Sequence, residues 1–271
     1  MPITPATRKP RAKIASRRAD LARIGELFHI AADGAHDHEP GRRLAQLADL
    51  VTGHVEHSDR ILAAVSEDAA ALAQLRTDMA AQVADGTTTA AEAAKRIAAA
   101  EAKADASTRG AKAVSDDAAR LVRRRCIADL YDLGDSIVTD VLAPCVHATA
   151  DRIRSAGDTV IAAGVTDDNG AARGTAQVHA AWNELHAAHD HLRNLWRLAE
   201  ALRSAGYTTA GRQLPDAVYQ WRNLDATVPD DNDTVPRRCP APLRTWQSIT
   251  RGAGPTVHTA AEAAAVYLAD A

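Results

Sequence analysis

The sequence predicts an all-α protein: a long antiparallel, coiled-coil-like helical hairpin joined to a smaller C-terminal helical bundle. Three observations predict it. Apolar residues make up 46% of the chain but aromatics only 3%, so the apolar supply is mostly alanine. Alanine is the best helix former and contributes little buried area, which favours long, thinly packed helices. Apolar residues recur at helical and heptad spacing over long stretches, while no segment alternates with strand period around a hairpin turn.

Residues 1–41 read as a basic arm followed by a short helix. Arg8, Lys9, Arg11, Lys13, Arg17, Arg18 and Arg23 stand against the single acid Asp20, and Pro2, Pro5 and Pro10 keep the start extended. From about Ser16, residues Leu21, Ile24, Phe28 and Ala31 repeat at helical spacing until Gly34 and Pro40 stop the pattern.

Residues 42–143 carry the hairpin. Leu44, Val51, Ser58, Val65, Leu72 and Met79 recur every seventh residue, with Leu47, His54, Ile61, Asp68, Leu75 and Gln82 on the companion row. Such a seam predicts one helix over about 42–84, roughly 65 Å long at 1.5 Å per residue. Val55, Leu62 and Val83 widen the stripe, which suits packing in a bundle more than an isolated dimer. Gly86 closes this helix, and Thr89 with Glu92 forms a capping box that opens the next. So short a connection implies an antiparallel return. The return arm runs through Ile97, Ala100, Ala104, Val114, Leu121, Ile127, Leu130, Ile137 and Val141; Gly110 with Ser115 and a shift of apolar phase after Leu121 suggest two helices in series, and Pro144 ends it.

Residues 144–271 differ in character: all four tryptophans (Trp182, Trp196, Trp221, Trp246) and every tyrosine except Tyr131 lie there. Helices are predicted at about 146–163 and 177–205, the second closed by Gly206. A short one starts at Pro215, residues 227–242 form an irregular connector, and a last helix begins at Thr259, capped by Glu262.

The stretch "WNELHAAHDHLRNLW" (182–196) raises the question of a metal site. Val178, Leu185, Leu192 and Ala199 form one row and Ala181, Ala188, Leu195 and Leu202 the next, so the seam is clear. His186 and Asp190 are an i, i+4 pair able to hold zinc from one helix face. They point away from the seam among Asn183, Arg193 and Arg197, with no third ligand, so the stretch reads as a helix with two faces and His189 half-buried between Trp182 and Trp196. No metal and no cofactor are expected. Glu26 with His29 supplies a single Glu-x-x-His where a di-iron bundle needs two. His54 and His57 read as one semi-buried and one exposed histidine, and "HDHE" (36–39) as a loop. Asp116-Asp117 and Asp230-Asp231-Asn232-Asp233 do not make the magnesium box of a prenyl-transferring enzyme, and aromatic cavity walls are scarce. Asp129, Asp132 and Asp135 read as an exposed acidic stripe. Neither a Gly-rich phosphate loop nor a Gly-x-Ser-x-Gly elbow is present.

A net charge of −3 gives no global pull towards nucleic acid. Cys126, Cys145 and Cys239 lack a CxxC pair and suit a reducing compartment. With neither a signal-peptide core nor an uncharged apolar run of about 18 residues, the expectation is a cytoplasmic protein without a membrane partner. Two basic features remain. Arg120, Arg123, Arg124 and Arg125 follow Asp116, which pairs with Arg120 along the helix. The arm, through Arg8, Lys9, Arg11, Lys13, Arg17 and Arg18, is the expected partner-binding element, for a polyanion or an acidic protein surface.

The Ala/Asp/Arg bias, the hairpin "GRRLAQLADLVTGHVEHSDRILAAV" with "DGTTTAAEAAKRIAAAEAKA", and the basic arm together resemble virion structural proteins of bacteriophages that infect high-GC actinobacteria. The resemblance is one of composition and architecture. It implies a head, connector or capsid-associated component with no catalytic residues, binding copies of itself or other assembly proteins and located in the virion after synthesis in the host cytoplasm. No small-molecule substrate is expected. Two alternatives stand beside it: a DNA-associated protein using the arm and Arg120–Arg125, and an enzyme with a site in the C-terminal bundle, which would need a deep pocket lined by Trp182, His189, Trp196 and Trp221.

Overall fold

The structure, a computed structural model, describes residues 18–35, 39–64, 67–209, 214–227 and 239–269. Regular structure among these residues is helical, and the sole strand-like feature is an isolated antiparallel bridge between Trp221 and Pro255. The helices are α1 (Arg18–Asp33), α2 (Glu39–Ala64), α3 (Glu67–Ala84), α4 (Ala90–Ser136), a π-turn at Ile137–Leu142, α5 (Ala143–Ala162), α6 (Asp168–Ala172), α7 (Ala176–Ser204), α8 (Asp216–Gln220), a 3₁₀ turn at Asp225–Thr227, α9 (Ala241–Thr250) and α10 (Ala260–Ala269). They fall into two compact units. One comprises residues 1–51 and 127–271, the other residues 52–126. Unit boundaries therefore lie within α2 and α4, where the sequence had suggested 41/42 and 143/144.

In the larger unit, α5 and α7 form the centre, with α1 and α9 packed on them. Thr149 meets His191 and Arg152 meets Glu184, so α5 and α7 run antiparallel. Helix α7 follows its sequence closely. Thr175 accepts a hydrogen bond from the Val178 amide at 3.3 Å. Gly206 takes φ +79° past the C-terminus, where the Tyr207 amide returns to the Leu202 carbonyl. The inward row Leu185, Leu192, Leu195, Leu198 and Leu202 is fully buried. Each such leucine contributes about 1.5–3 kcal/mol over an exposed one. Helix α1 buries Leu21, Ile24, Phe28 and Ala31, as its spacing predicts. Helices α8 and α10 share a small core of Leu214, Val218, Tyr219 and Ala263.

Pro144 does not end the return helix. Helicity continues from α4 through the π-turn into α5, with Pro144 as the second residue of α5. Proline has no N–H, and its ring crowds the carbonyl four residues back, here that of Asp140. The wider turn relieves that crowding: the Ala143 amide reaches the Val138 carbonyl, five residues back. Nor is there a break at Gly110 or Ser115, because α4 is continuous through both. One glycine costs about 1 kcal/mol in a helix, which the surrounding alanines tolerate. Two short helices, α6 and α9, were not foreseen. Helix α6 is capped by Asp167, which accepts from the Gly170 amide at 2.7 Å, and α9 begins at Ala241, inside the expected connector.

In the smaller unit, the chain turns at 85–89 with Gly86 at φ +71°, and the Thr89 hydroxyl accepts from the Glu92 amide at 3.2 Å. Arg76 of α3 then reaches Glu101 of α4 at 2.5 Å. Met79, Ala93, Ala119 and Cys126 are buried. Val114 and Leu121, placed on the inner face by the sequence, are instead 70% and 57% exposed. The buried row of α4 runs through Ala119 and Cys126 and lies on the other side of the helix. Sequence spacing followed the larger side chains, Val114 and Leu121, because alanine marks a face only weakly.

Candidate functional site

Arg8, Lys9, Arg11, Lys13 and Arg17 lie outside the described residues, and Arg18 is the first residue of α1. Of the seam residues, Leu44, Val51, Ser58 and Met79 are buried and Leu72 is half-buried, whereas Val65 is outside the described residues. On the companion row Leu47, His54, Ile61 and Leu75 are half-buried and Gln82 is exposed. Leu185, Leu192 and Leu195 are fully buried. Among the described positions of the hairpin seam, the first row therefore lies deeper than its companion row.

His186 stacks obliquely on Trp182 at 5.0 Å, and its Nε2 is buried without a hydrogen-bond partner. Asp190 points outward and lies 3.9 Å from Arg193 and 3.7 Å from His189 Nδ1. His189 is 8% exposed, deeper than expected. Burial pushes its pKa below the usual value, Asp190 pulls it back up, and Arg193 adds to the lowering. Among the described residues no three His, Cys, Asp or Glu side chains gather as a metal site. Of the "HDHE" stretch only Glu39 is described, opening α2 and pairing with Arg43 at 2.7 Å. Arg120 bonds Asp117 at 3.1 Å in place of the anticipated Asp116.

The acidic stripe on α4 is not uniform. Asp129 and Asp132 are exposed, but Asp135 is half-buried and accepts from the Thr209 amide at 2.9 Å and from the Thr209 hydroxyl. That places the backbone at Tyr207 against α4, where Gly134 leaves room: a Cβ there would lie 1.9 Å from the Tyr207 carbonyl oxygen.

His191 is the functional-looking residue that sequence reasoning passed over. It is 4% exposed and joins three helices. Its Nε2 donates to the Ala31 carbonyl in the last turn of α1 at 2.9 Å. Its Nδ1 lies 3.1 Å from the Thr149 hydroxyl, itself 2.8 Å from the Cys145 carbonyl. Arg152 extends the network, donating to the Gly34 carbonyl at 3.0 Å and to Glu184 at 2.7 Å. Carbonyls left unpaired at a helix end attract donors of this kind. A signal existed: His191 follows Ala188 by three residues and precedes Leu195 by four, so it shares their buried row.

A second polar cluster lies near the tryptophans. Arg222 lies 2.8 Å from His147 Nε2, and since guanidinium only donates, that nitrogen is an acceptor and His147 is neutral. Burial, and then Arg222, hold the His147 pKa below its ordinary value against the pull of Asp151. His258 is also lowered by burial, with Glu262 opposing, and its Nε2 is buried without a hydrogen-bond partner. Trp196 packs on Trp221 at 5.3 Å and donates to the Thr256 carbonyl at 2.8 Å. The adjoining cavity, lined by Trp196, Glu200, Arg203, Tyr219 and His258, has a volume of about 20 Å³, room for one water. Trp182 belongs to a different place, bonding Asp168 at 3.1 Å near the start of α7. Trp182, His189, Trp196 and Trp221 therefore do not converge on one pocket. A wider, half-open groove of about 740 Å³ lies between α1 and α7, lined by Asp20, Arg23, Leu27, Arg197, Glu200 and Ser204.

Cys126, Cys145 and Cys239 are free and buried. Burial raises the Cys145 thiol to about 12, far from thiolate chemistry at neutral pH. No helix among the described residues is long and apolar enough to cross a membrane. Comparison with family models, with curated proteins and with solved structures gives no match to this chain.

Proposed function

We propose that the chain is a non-enzymatic structural or assembly protein, a capsid- or connector-associated component of a bacteriophage virion, acting through helical protein–protein contacts. One observation carries the reading. Several polar side chains suited to chemistry tie helices and loops together instead: His191 and Arg152 hold the end of α1, Asp135 holds Thr209, and Trp246 holds Asp158 at 2.9 Å. Groups fixed in this way brace the helices of the larger unit, whose useful features are then its faces. The arm, with a net of six positive charges over residues 1–23, supplies an electrostatic contact for an acidic partner surface.

The test is to tag the chain in its native genomic setting, capture its partners, and search purified particles for it by mass spectrometry. Co-capture of head, portal or connector proteins and a fixed copy number per particle are expected. Absence from particles, with retention on DNA that fades as salt rises, would replace this reading with the DNA-associated alternative.

A further inference from the structure

We propose that the outward face of α4 around Leu121 is a self-association site, taking the same face of a second copy of this chain in antiparallel orientation. The inference rests on the assembly reading above and names one of its partners. Val114 and Leu121 are 70% and 57% exposed, unusually so for large aliphatic side chains. They stand seven residues apart, so they differ by only about 20° around a helix with 3.6 residues per turn. The buried Ala119 and Cys126 lie on the far side, packed within the chain. Ala118, between the two exposed residues, is too small to block close approach.

Charge selects the occupant. Asp117 and Arg124 are also seven residues apart and flank the stripe on one side. Both are exposed; Asp117 holds Arg120 of its own helix at 3.1 Å with solvent-facing room for a second cation, and Arg124 makes no ion pair among the described residues. In an antiparallel pair related by a two-fold axis near Leu121, each flank faces the same flank of the other copy. Asp117 of each copy then meets Arg124 of the other, twice over, while the two Leu121 side chains meet at the axis. In a parallel two-fold pair that flank would face the opposite flank of the partner, so Asp117 and Arg124 would not meet. The patch is small beside the roughly 800 Å² per partner of a stable interface, so pairing is concentration-dependent. A closed two-fold contact of this kind serves a protein whose copies meet at high local concentration.

Sedimentation of the full chain from low micromolar to several hundred micromolar tests this. Wild type is expected to shift from monomer to dimer across the range. Leu121→Glu, and the milder Leu121→Gln, should weaken association at least about tenfold, the loss typical of a central interface residue. Asp117→Arg alone and Arg124→Asp alone should each weaken it, and the double exchange should restore it. All three positions are exposed, and matching circular dichroism verifies that each variant is folded. A wild type that stays monomeric throughout overturns the proposal. So does a dimer indifferent to both Leu121 variants, although self-association would then still support an assembly role. Charge variants that fail to rescue one another overturn the antiparallel register.

Discussion

His147, His189 and His258 share one physical situation: burial disfavours the imidazolium of each, and their pKa values lie below the ordinary one. Such a group binds fewer protons folded than unfolded, so stability rises with pH across the interval between its two pKa values. The contribution is complete above the unfolded value of about 6.5 and is lost as pH falls through the folded value. Melting temperature should therefore hold near pH 7.5 and decline towards about pH 5.5, ahead of the range where surface carboxylates titrate. A flat profile over that interval in a thermal scan would contradict the assignment of neutral histidines. Glycines offer a second residue-scale contrast. At Gly134 a Cβ would strike the Tyr207 backbone, and backbone cannot swing aside, whereas Gly53 on α2 has nothing within 4 Å. Urea titration should show Gly134→Ala destabilising by about 1–3 kcal/mol or more. Gly53→Ala should instead stabilise by about 0.5–1 kcal/mol, because it removes a helical glycine. If the two shift alike, the close approach at Tyr207 is not real. Nothing in the pattern around Gly134 announced that contact, since its other side comes from a segment more than seventy residues away.

Among the helices, legibility followed side-chain size. The row Leu185, Leu192, Leu195 and Leu202 was readable because a leucine on the wrong face would expose much apolar area, and all four are fully buried. The caps at Thr89, Thr175 and Thr259 have local geometry: the Thr259 amide donates to Glu262 at 2.8 Å. Thr89 and Thr259 were foreseen, because a cap reads only its next three residues. On α4 the prediction failed where alanine dominates, since moving an alanine from one face to another changes little transfer energy. The difference is measurable. Leu192→Ala should cost about 2–5 kcal/mol in chemical denaturation, as a fully buried leucine does. Leu121→Ala, at low concentration, should fall within about 0.5 kcal/mol of wild type. Equal losses would put Leu121 back in the core.

At the scale of the whole chain, the basic arm separates folding from partner choice. Its charges gain nothing from a neutral core, so removing residues 1–17 should leave the melting temperature nearly unchanged while weakening partner capture, most visibly at low salt. A large drop in melting temperature with capture intact would make the arm part of the core. By itself the sequence determined the fold class, the α7 helix and its seam, the turn at Gly86, and the charge asymmetry of the N-terminus. These depend on composition, periodicity and neighbours a few residues apart, and local energies settle them. Only the tertiary structure decided the rest: which stripe of α4 is buried, how helicity passes Pro144, that Asp135 holds Thr209, and that His191 binds the end of α1 from 160 residues away. Those outcomes depend on what lies opposite. A histidine beside a seam becomes a core tie or a surface group according to whether another helix presents an unpaired carbonyl there, and that helix is distant in sequence.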